Sequence, residues 1–211
     1  MKTPPYISNR MQKLFKPLVF LLALVPVEYL GYRTYTNDLG VNPAETLQLE
    51  TGGWALKFLL ITLAITPLRR LTGWNRVIQY RRMVGLFAFF YACLHFLTYI
   101  VLDKSFAFDE MIADVAKRPF ITAGFVAFVS MVPLAITSTK GWIRRLGRRW
   151  QSLHRLIYVS GVAAAVHFVW KVKVAIGEPV YYAIAIAVLL GFRVVWQLKS
   201  AKSLRAQRVS A

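Results

Sequence analysis

Six apolar segments, each close to the length that crosses a lipid bilayer as an α-helix, follow one another along this chain. The hydrocarbon core of a bilayer is about 30 Å thick, so a helix needs about 20 mostly apolar residues to span it. The expected spans are, in chain order, 17–35, 54–68, 83–102, 119–137, 153–170 and 179–198. The second segment is short and is expected to extend to either side. The sequence therefore predicts an all-α integral membrane protein built as a six-helix transmembrane bundle.

The composition excludes the soluble alternatives. Hydrophobic residues make up 57% of the 211 residues, charged residues make up 17%, and the mean hydropathy is +0.47. An ordinary globular domain has about 45–50% apolar and about 25% charged residues, and a disordered chain has fewer apolar residues still. The single cysteine, Cys93, excludes an intramolecular disulfide and a cysteine-rich metal site. No gap between the spans would hold a further soluble domain, so residues 1–211 are expected to form one domain.

The charged residues separate according to the side of the membrane. The chain has 27 Lys and Arg and 9 Asp and Glu, which gives a net charge of +18. The basic residues cluster near both termini and in segments 69–82 and 140–155, whereas all 9 carboxylates lie at the opposite ends of the spans. The positive-inside rule therefore predicts that both termini are cytoplasmic. Because the same rule accounts for the large positive net charge, no nucleic-acid partner is needed to explain that charge. Arg193, inside the sixth span, is expected to snorkel toward the basic side.

The three histidines, His95, His154 and His167, all lie within a predicted span or at its end. An ionisable group in a membrane is by default a functional candidate, although a neutral histidine hydrogen-bonded to a neighbouring helix is the alternative. His95 follows Arg82 by 13 residues and His167 follows His154 by 13 residues, on spans that run in the same direction. At 1.5 Å per residue, His95 and His167 both lie about 20 Å from the basic side.

Two histidines at one depth on different helices are suited to be the axial ligands of a single heme. Such closed coordination favours electron transfer over oxygen chemistry. Zinc is less well suited, because its sites use three or four protein ligands. His154 lies about 20 Å from His167 along the helix axis, where it would serve a second redox centre or bond to a loop or lipid. The residue at matching depth on the third span is Arg82, so a second heme would need another ligand or an open position.

Short motifs spread over nearly the whole chain carry a resemblance to a known family. The motifs are Leu56-Lys57-Phe58-Leu59-Leu60, Thr66-Pro67-Leu68, Arg81-Arg82-Met83-Val84-Gly85-Leu86, Arg118-Pro119-Phe120-Ile121, Pro133-Leu134-Ala135, Leu146-Gly147 and Leu153-His154-Arg155-Leu156. Taken in this order, and with His95, His167 and six spans, the sequence resembles the ferric reductase-like transmembrane proteins. Within them it is most similar to the MsrQ family, formerly called YedZ.

The resemblance implies a function, cofactors and partners. Members of the family are multi-pass proteins of the bacterial inner membrane that bind heme b. They take electrons from the quinone pool, or from a cytoplasmic flavin reductase through FMN. They deliver these electrons to MsrP, a periplasmic molybdopterin enzyme that reduces methionine sulfoxide in oxidised proteins. This chain would then be an electron-transfer subunit rather than the catalytic methionine sulfoxide reductase.

Carried over to this sequence, the resemblance makes His95 and His167 the axial ligands of an outer heme. It makes His154 a ligand of a second, inner heme, for which many ferric reductase-like proteins have a fourth histidine that this chain lacks. Arg81 and Arg82 become contacts for heme propionates or for the phosphate of FMN, with membrane topology and anionic lipid as the other explanation. One heme, with a second as a further expectation, and FMN are the implied cofactors.

Two other functions are compatible with the same spans. One is a membrane cytochrome of another quinol or ferric reductase pathway. The other is a small transporter with histidines in a proton path. The transporter is disfavoured because, apart from Glu28 in the first span, the spans lack the Asp and Glu residues that proton-coupled carriers use, and because paired broken helices are not evident.

Overall fold

The computed structural model describes residues 9–172 and 177–209, and this part of the chain is helical without β-strands. The helices are α1 (Asn9–Tyr35), α2 (Pro43–Thr72), α3 (Arg81–Thr98), α4 (Phe108–Lys117), α5 (Pro119–Ile136), α6 (Lys140–Leu146), α7 (Arg148–Leu153), α8 (Leu156–Val172) and α9 (Glu178–Val209). A 3₁₀ turn, Asn75–Tyr80, precedes α3, and a π-helical turn, Tyr99–Asp103, follows it. The predicted all-α fold is confirmed.

Within the described residues, six helical segments are long and apolar enough to cross a membrane. They are Phe15–Tyr35, Pro43–Thr72, Asn75–Asp103, Pro119–Ile136, Arg148–Val172 and Glu178–Trp196. The chain is therefore an integral membrane protein with the predicted number of spans. The two ends of the bundle are called here the carboxylate-rich side, with Asp38, Glu45, Asp103, Asp114 and Glu178, and the arginine-rich side, with Arg69, Arg70, Arg82, Arg144 and Arg155.

The second span is longer than the apolar segment that predicted it, because its first turns are polar. Asn42 caps α2 by accepting a hydrogen bond from the Glu45 N–H at 3.2 Å, and Pro43 occupies the first turn, where its missing N–H has no cost. The helix ends at Gly73, whose φ of 70° places it in the left-handed region that favours glycine. Because of these extra residues, α2 extends beyond the depth in the bundle at which His95 lies.

The spans pack as two tight pairs, α2 with α3 and α5 with α8, and α9 covers α8 and α2. In the second pair, the buried hydroxyls of Ser130 and Ser160 form an interhelical hydrogen bond of 2.7 Å. Polar groups of this kind link helices where lipid leaves little hydrophobic driving force for association. The histidine-bearing helices α3 and α8 belong to different pairs and do not pack closely against each other.

Tyr91 of α3 is fully buried and links α3 to α1. Its hydroxyl donates to the Ala23 carbonyl at 2.8 Å and accepts from the Val27 N–H at 3.1 Å. These two backbone groups pair with each other in an uninterrupted helix, so the phenol inserts into the ladder of α1 beside Pro26. Insertion of a side chain at a proline is a known cause of helix kinks.

The expectation that Arg193 snorkels toward the arginine-rich side is wrong. Arg193 is only 5% exposed, and its Nη2 donates to the Leu63 carbonyl oxygen at 3.0 Å. That carbonyl would ordinarily bond to the N–H four residues later, but the residue there is Pro67, which has none. A membrane interior requires every backbone polar group to find a partner within the protein, and Arg193 supplies this one.

An ion-pair cluster closes the connection between the third and fourth spans on the carboxylate-rich side. Asp114 of α4 lies 2.7 Å from the Lys104 ammonium and 3.2 Å from Nε of Arg118, and the Tyr99 hydroxyl donates to it at 3.3 Å. The hydrogen bond from Lys104 lowers the pKa of Asp114 below its ordinary value, against the opposing effect of burial. The same bond raises the pKa of Lys104. Both groups are therefore held in their charged forms.

Candidate cofactor site

His95 of α3 and His167 of α8 lie side by side in the interior of the bundle. Their ring centroids are 6.0 Å apart and their planes are inclined by 71°. The two residues predicted to share one depth are thus brought together from different helix pairs. Each ring is only half-buried, which fits the loose packing between α3 and α8.

Each imidazole is oriented by a backbone carbonyl of the neighbouring helix in its own pair. Nδ1 of His95 lies 2.9 Å from the Gln48 oxygen, and Nδ1 of His167 lies 2.7 Å from the Phe120 oxygen. A carbonyl oxygen only accepts, so Nδ1 carries the proton in both rings and Nε2 keeps its lone pair. This is the arrangement by which histidine ligands of metals are commonly held, with one ring nitrogen bonded to the protein and the other presented to the metal.

A glycine makes each of these close approaches possible. A Cβ atom built on Gly52 would lie 2.9 Å from Nδ1 of His95, and one built on Gly124 would lie 2.7 Å from Nδ1 of His167. Each glycine follows the hydrogen-bonding carbonyl by four residues, one turn along the same helix face. Any side chain at these positions would displace the ring.

The arrangement of a histidine against a carbonyl and a glycine of a neighbouring helix occurs twice, with the same spacing along the sequence. The hydrogen-bonded pairs Gln48–His95 and Phe120–His167 are both separated by 47 residues. Sequence reasoning found the histidines but missed the glycines. The signal that would have revealed them is this common spacing, with Gly52 and Gly124 at the same offset within it.

The geometry fits an iron held between the two rings. The ring centroids are 6.0 Å apart, so one metal ion between the rings could reach a nitrogen of each. Among the described residues, no three His, Cys, Asp or Glu side chains come together as a metal-binding group. The protein therefore offers two neutral nitrogen donors here, which is the ligand set of a bis-histidine heme.

Aromatic side chains of α3 and α5 pack against one another, and one of them lies beside the His167 ring. Phe96 packs against Phe128 with centroids 4.7 Å apart, Phe89 stacks on Phe128 at 5.8 Å, and Phe120 lies 6.2 Å from the His167 ring. An apolar shell limits the access of water and lowers the local dielectric, and both effects tune a redox centre.

His154 is separate from this pair and is bonded within its own region of the arginine-rich side. Its Nε2 lies 3.1 Å from the Thr137 hydroxyl, which itself donates to the Pro133 carbonyl. The hydroxyl therefore accepts from Nε2, so Nδ1 of His154 is the nitrogen left with a lone pair. Its ring also stacks on Trp150 with centroids 3.9 Å apart. A ligand role for His154 would use Nδ1, unlike the other two histidines.

The structure separates the two arginines that the sequence grouped together. Arg81 is half-buried at the start of α3 and lies close enough to His154 and Arg193 for its charge to act on both. Arg82 is exposed. Arg81 is thus the one positioned to contact a group inside the bundle, whereas Arg82 faces the surroundings.

Comparisons with known proteins show the family to which this chain belongs. Residues 51–165 match the family model of the ferric reductase like transmembrane component, a range that includes His95 and His154. Proteins named protein-methionine-sulfoxide reductase heme-binding subunit MsrQ are similar over most of the chain. The one from Herminiimonas arsenicoxydans is 50% identical over 92% of this chain and 88% of its own length.

Two further relatives carry the same name. The protein from Xanthomonas euvesicatoria is 49% identical over 92% of this chain and 91% of its own length. The protein from Ralstonia nicotianae is 48% identical over 94% of this chain and 93% of its own length. No solved structure matches the chain. With this identity over almost the full length, the chain belongs to the MsrQ family of ferric reductase-like transmembrane proteins.

Proposed function

We propose that this chain is a heme b-binding electron-transfer subunit of the bacterial inner membrane that serves the repair of methionine sulfoxide. Its electrons come from the quinone pool or from a cytoplasmic flavin reductase. Its acceptor is an MsrP-like periplasmic molybdopterin enzyme. The names of the relatives, which describe heme-binding subunits of a methionine sulfoxide reductase, support this assignment. The whole of residues 1–211 acts as one domain.

The pairing of His95 with His167 is the observation that carries the proposal. The two imidazoles would hold the heme iron, and the carbonyls of Gln48 and Phe120 keep them in the tautomer that presents Nε2. A heme bound there would supply one-electron chemistry. Phe120, beside the His167 ring, belongs to the apolar surroundings that would limit the access of water to a bound heme.

The charge distribution gives the proposed direction of electron flow. The arginine-rich side is cytoplasmic by the positive-inside rule, which places both termini in the cytoplasm. The His95–His167 pair then lies in the outer half of the membrane, near a periplasmic acceptor. His154, Arg81 and Arg82 lie on the donor side, where they would serve a second heme or FMN.

The experiment is purification of the protein in detergent from cells supplied with a heme precursor, followed by reduction. We expect a red protein with a Soret band that sharpens on dithionite addition. We also expect oxidation of the reduced heme by a purified MsrP-like enzyme with methionine sulfoxide present. A colourless preparation would contradict the proposal and favour the transporter. A coloured protein that passes no electrons to that enzyme would favour a cytochrome of another quinol or ferric reductase pathway.

A further inference from the structure

Arg193 does more than satisfy the carbonyl freed by Pro67. Its Nη2 also lies 3.5 Å from the Thr62 carbonyl oxygen and 3.4 Å from the Thr66 hydroxyl. All of these acceptors are neutral. They account for hydrogen bonds of the guanidinium, but they leave its positive charge uncompensated inside the membrane-spanning part of the protein.

One donor of this guanidinium has no partner. Nε of Arg193 is buried and makes no hydrogen bond with any described residue. A buried donor without an acceptor is unfavourable, and more so when the group is charged. Such an exception in a native structure needs an explanation, and a bound ion is one such explanation.

The surroundings of Arg193 add positive charge. Arg81 of α3 and Arg70 of α2 lie close enough to act electrostatically on it, and Tyr158 of α8 is hydrogen-bonded to it. The cluster therefore joins four helices, α2, α3, α8 and α9, on the arginine-rich half of the bundle. Tyr158 precedes His167 by nine residues on one helix, which puts the cluster about 14 Å from the histidine pair along the axis.

The side-chain carboxylates of this chain cannot neutralise the cluster. All 9 lie in parts of the sequence that belong to the carboxylate-rich side of the bundle. Glu178, the acidic residue of α9, is about 22 Å from Arg193 along the helix, and Glu50 of α2 is about 18 Å from Thr62. Breaking a buried ion pair by removing one partner leaves an uncompensated charge that costs several kcal/mol. An anion that is not part of the polypeptide would neutralise the charge and remove that cost.

We propose that Arg193 and Arg81 form a buried oxyanion site that binds a carboxylate or phosphate group of a redox cofactor in the arginine-rich half. A guanidinium presents a planar fork of donors that matches both groups. The proposal rests on the proposed function, because it assumes that the chain carries electrons through bound cofactors. The two sources of this chemistry are a propionate of an inner heme near His154 and the phosphate of FMN.

The test compares Arg193→Gln and Arg81→Gln with the wild-type protein. Glutamine removes the charge, and because it is two bonds shorter than arginine it also withdraws the donor from the Leu63 carbonyl. Arg81 makes no described bond to the Leu63 carbonyl. Its variant therefore separates anion binding from the structural hydrogen bond that Arg193 makes to α2. The control is Arg69→Gln, which removes an exposed charge from the same side. The readouts are heme per polypeptide by pyridine hemochrome, FMN affinity by fluorescence titration, and the low-spin spectrum of the outer heme.

If the oxyanion is a propionate, both variants should fall from two hemes toward one while the outer spectrum stays intact. If it is the phosphate of FMN, heme content should not change and the affinity for FMN should fall by about tenfold or more, the loss expected for a charge-assisted hydrogen bond. Arg69→Gln should behave as wild type in both cases.

Three results would overturn the site. The first is wild-type heme content and FMN affinity in Arg81→Gln, even if Arg193→Gln misfolds, since Arg193 would then be a structural residue. The second is an equal loss in Arg69→Gln, which would reduce the effect to net charge. The third is a wild-type protein that holds one heme and binds no FMN. A colourless wild-type protein would instead contradict the proposed function itself.

Discussion

Gly124 lies directly against the ring of His167, so closely that a Cβ atom on the glycine would be 2.7 Å from Nδ1 and 2.9 Å from Cε1. Gly52 stands in the same relation to His95, at 2.9 and 3.0 Å. Real side chains do not come this close, so the absence of a Cβ is a condition for the hydrogen bonds from the rings to the Phe120 and Gln48 carbonyls.

We therefore expect Gly124→Ala and Gly52→Ala to weaken heme binding. The added methyl group would push the imidazole away from the helix and break the bond that sets its tautomer. Loss of the group that orients a metal-ligating histidine typically costs about 10–100-fold in affinity. The measurement is heme retention by the purified variants during competition with excess apomyoglobin.

Gly53→Ala is the matched control for this pair. It lies on the same helix, next to Gly52, and a Cβ atom there would meet nothing within 4 Å. Because alanine is the better helix former by about 1 kcal/mol, this variant should be as stable as wild type or more so, with unchanged heme content. Equal heme loss in Gly53→Ala and Gly52→Ala would show that the helix tolerates no substitution there, and the steric explanation would fail.

Replacement of the histidines should divide them into two classes. His95→Ala and His167→Ala should each abolish the outer bis-histidine heme, because each removes one of two axial ligands. His154→Ala should remove at most one heme and leave the outer spectrum intact, since its ring is bonded to Thr137 and not to the pair. Electron paramagnetic resonance of the oxidised proteins would distinguish these outcomes. Full heme content in both His95→Ala and His167→Ala would refute the ligand assignment.

Tyr91→Phe should loosen α1 from the rest of the bundle. The change removes the hydroxyl that bonds to Ala23 and Val27 and leaves two backbone groups without their partner. We expect a loss of about 1–3 kcal/mol in the free energy of unfolding, measured by denaturation in mild detergent micelles. Tyr35→Phe, at an exposed side chain, is the control and should change little. Wild-type stability in Tyr91→Phe would mean that the helix ladder closes once the hydroxyl is gone.

The Lys104–Asp114 pair should make stability depend on pH in acid. The folded pKa of Asp114 is lowered, so its contribution is complete above the ordinary aspartate value of about 4 and is lost as the pH falls through the lower folded value. The raised pKa of Lys104 keeps its contribution complete up to the ordinary lysine value of about 10.4, with loss only at still higher pH. Between these two pH values, this pair should cause no change of the unfolding temperature with pH.

Lys104→Met tests that prediction. Without the ammonium, the pKa of Asp114 should move back toward its ordinary value and the acid-side loss attributable to the pair should shrink. Asp38→Asn serves as the control, because the exposed Arg33–Asp38 pair is 3.9 Å apart and should contribute little. An acid-side profile of Lys104→Met that superimposes on the wild-type profile would show that the pair does not contribute.

Reporter fusions should locate the two sides of the bundle. A fusion after Ala211 should report a cytoplasmic location, and one in the connection between α1 and α2, after Gly40, should report a periplasmic location. Alkaline phosphatase and green fluorescent protein give complementary signals for these compartments. A periplasmic signal at the C-terminus would invert the proposed direction of electron flow.

The sequence by itself determined the number of spans and the common depth of His95 and His167. Bilayer thickness sets how many apolar residues a span needs, and the fixed rise of a helix converts residue number into depth. Both quantities are one-dimensional, so they can be read along the chain. The second span was expected to extend beyond its apolar segment, but hydropathy could not show how far, because the first turns of α2 are polar and are stabilised by the Asn42 cap.

Only the tertiary structure decided which side chains meet at each depth. It set His95 against Gly52 and His167 against Gly124, turned Arg81 inward and Arg82 outward, and buried Arg193 against the carbonyl that Pro67 leaves free. These relations depend on how each helix is rotated about its axis and which helix it packs against. Rotation and packing are set by contacts between residues that are distant in sequence, such as Tyr91 with Ala23 and Ser130 with Ser160.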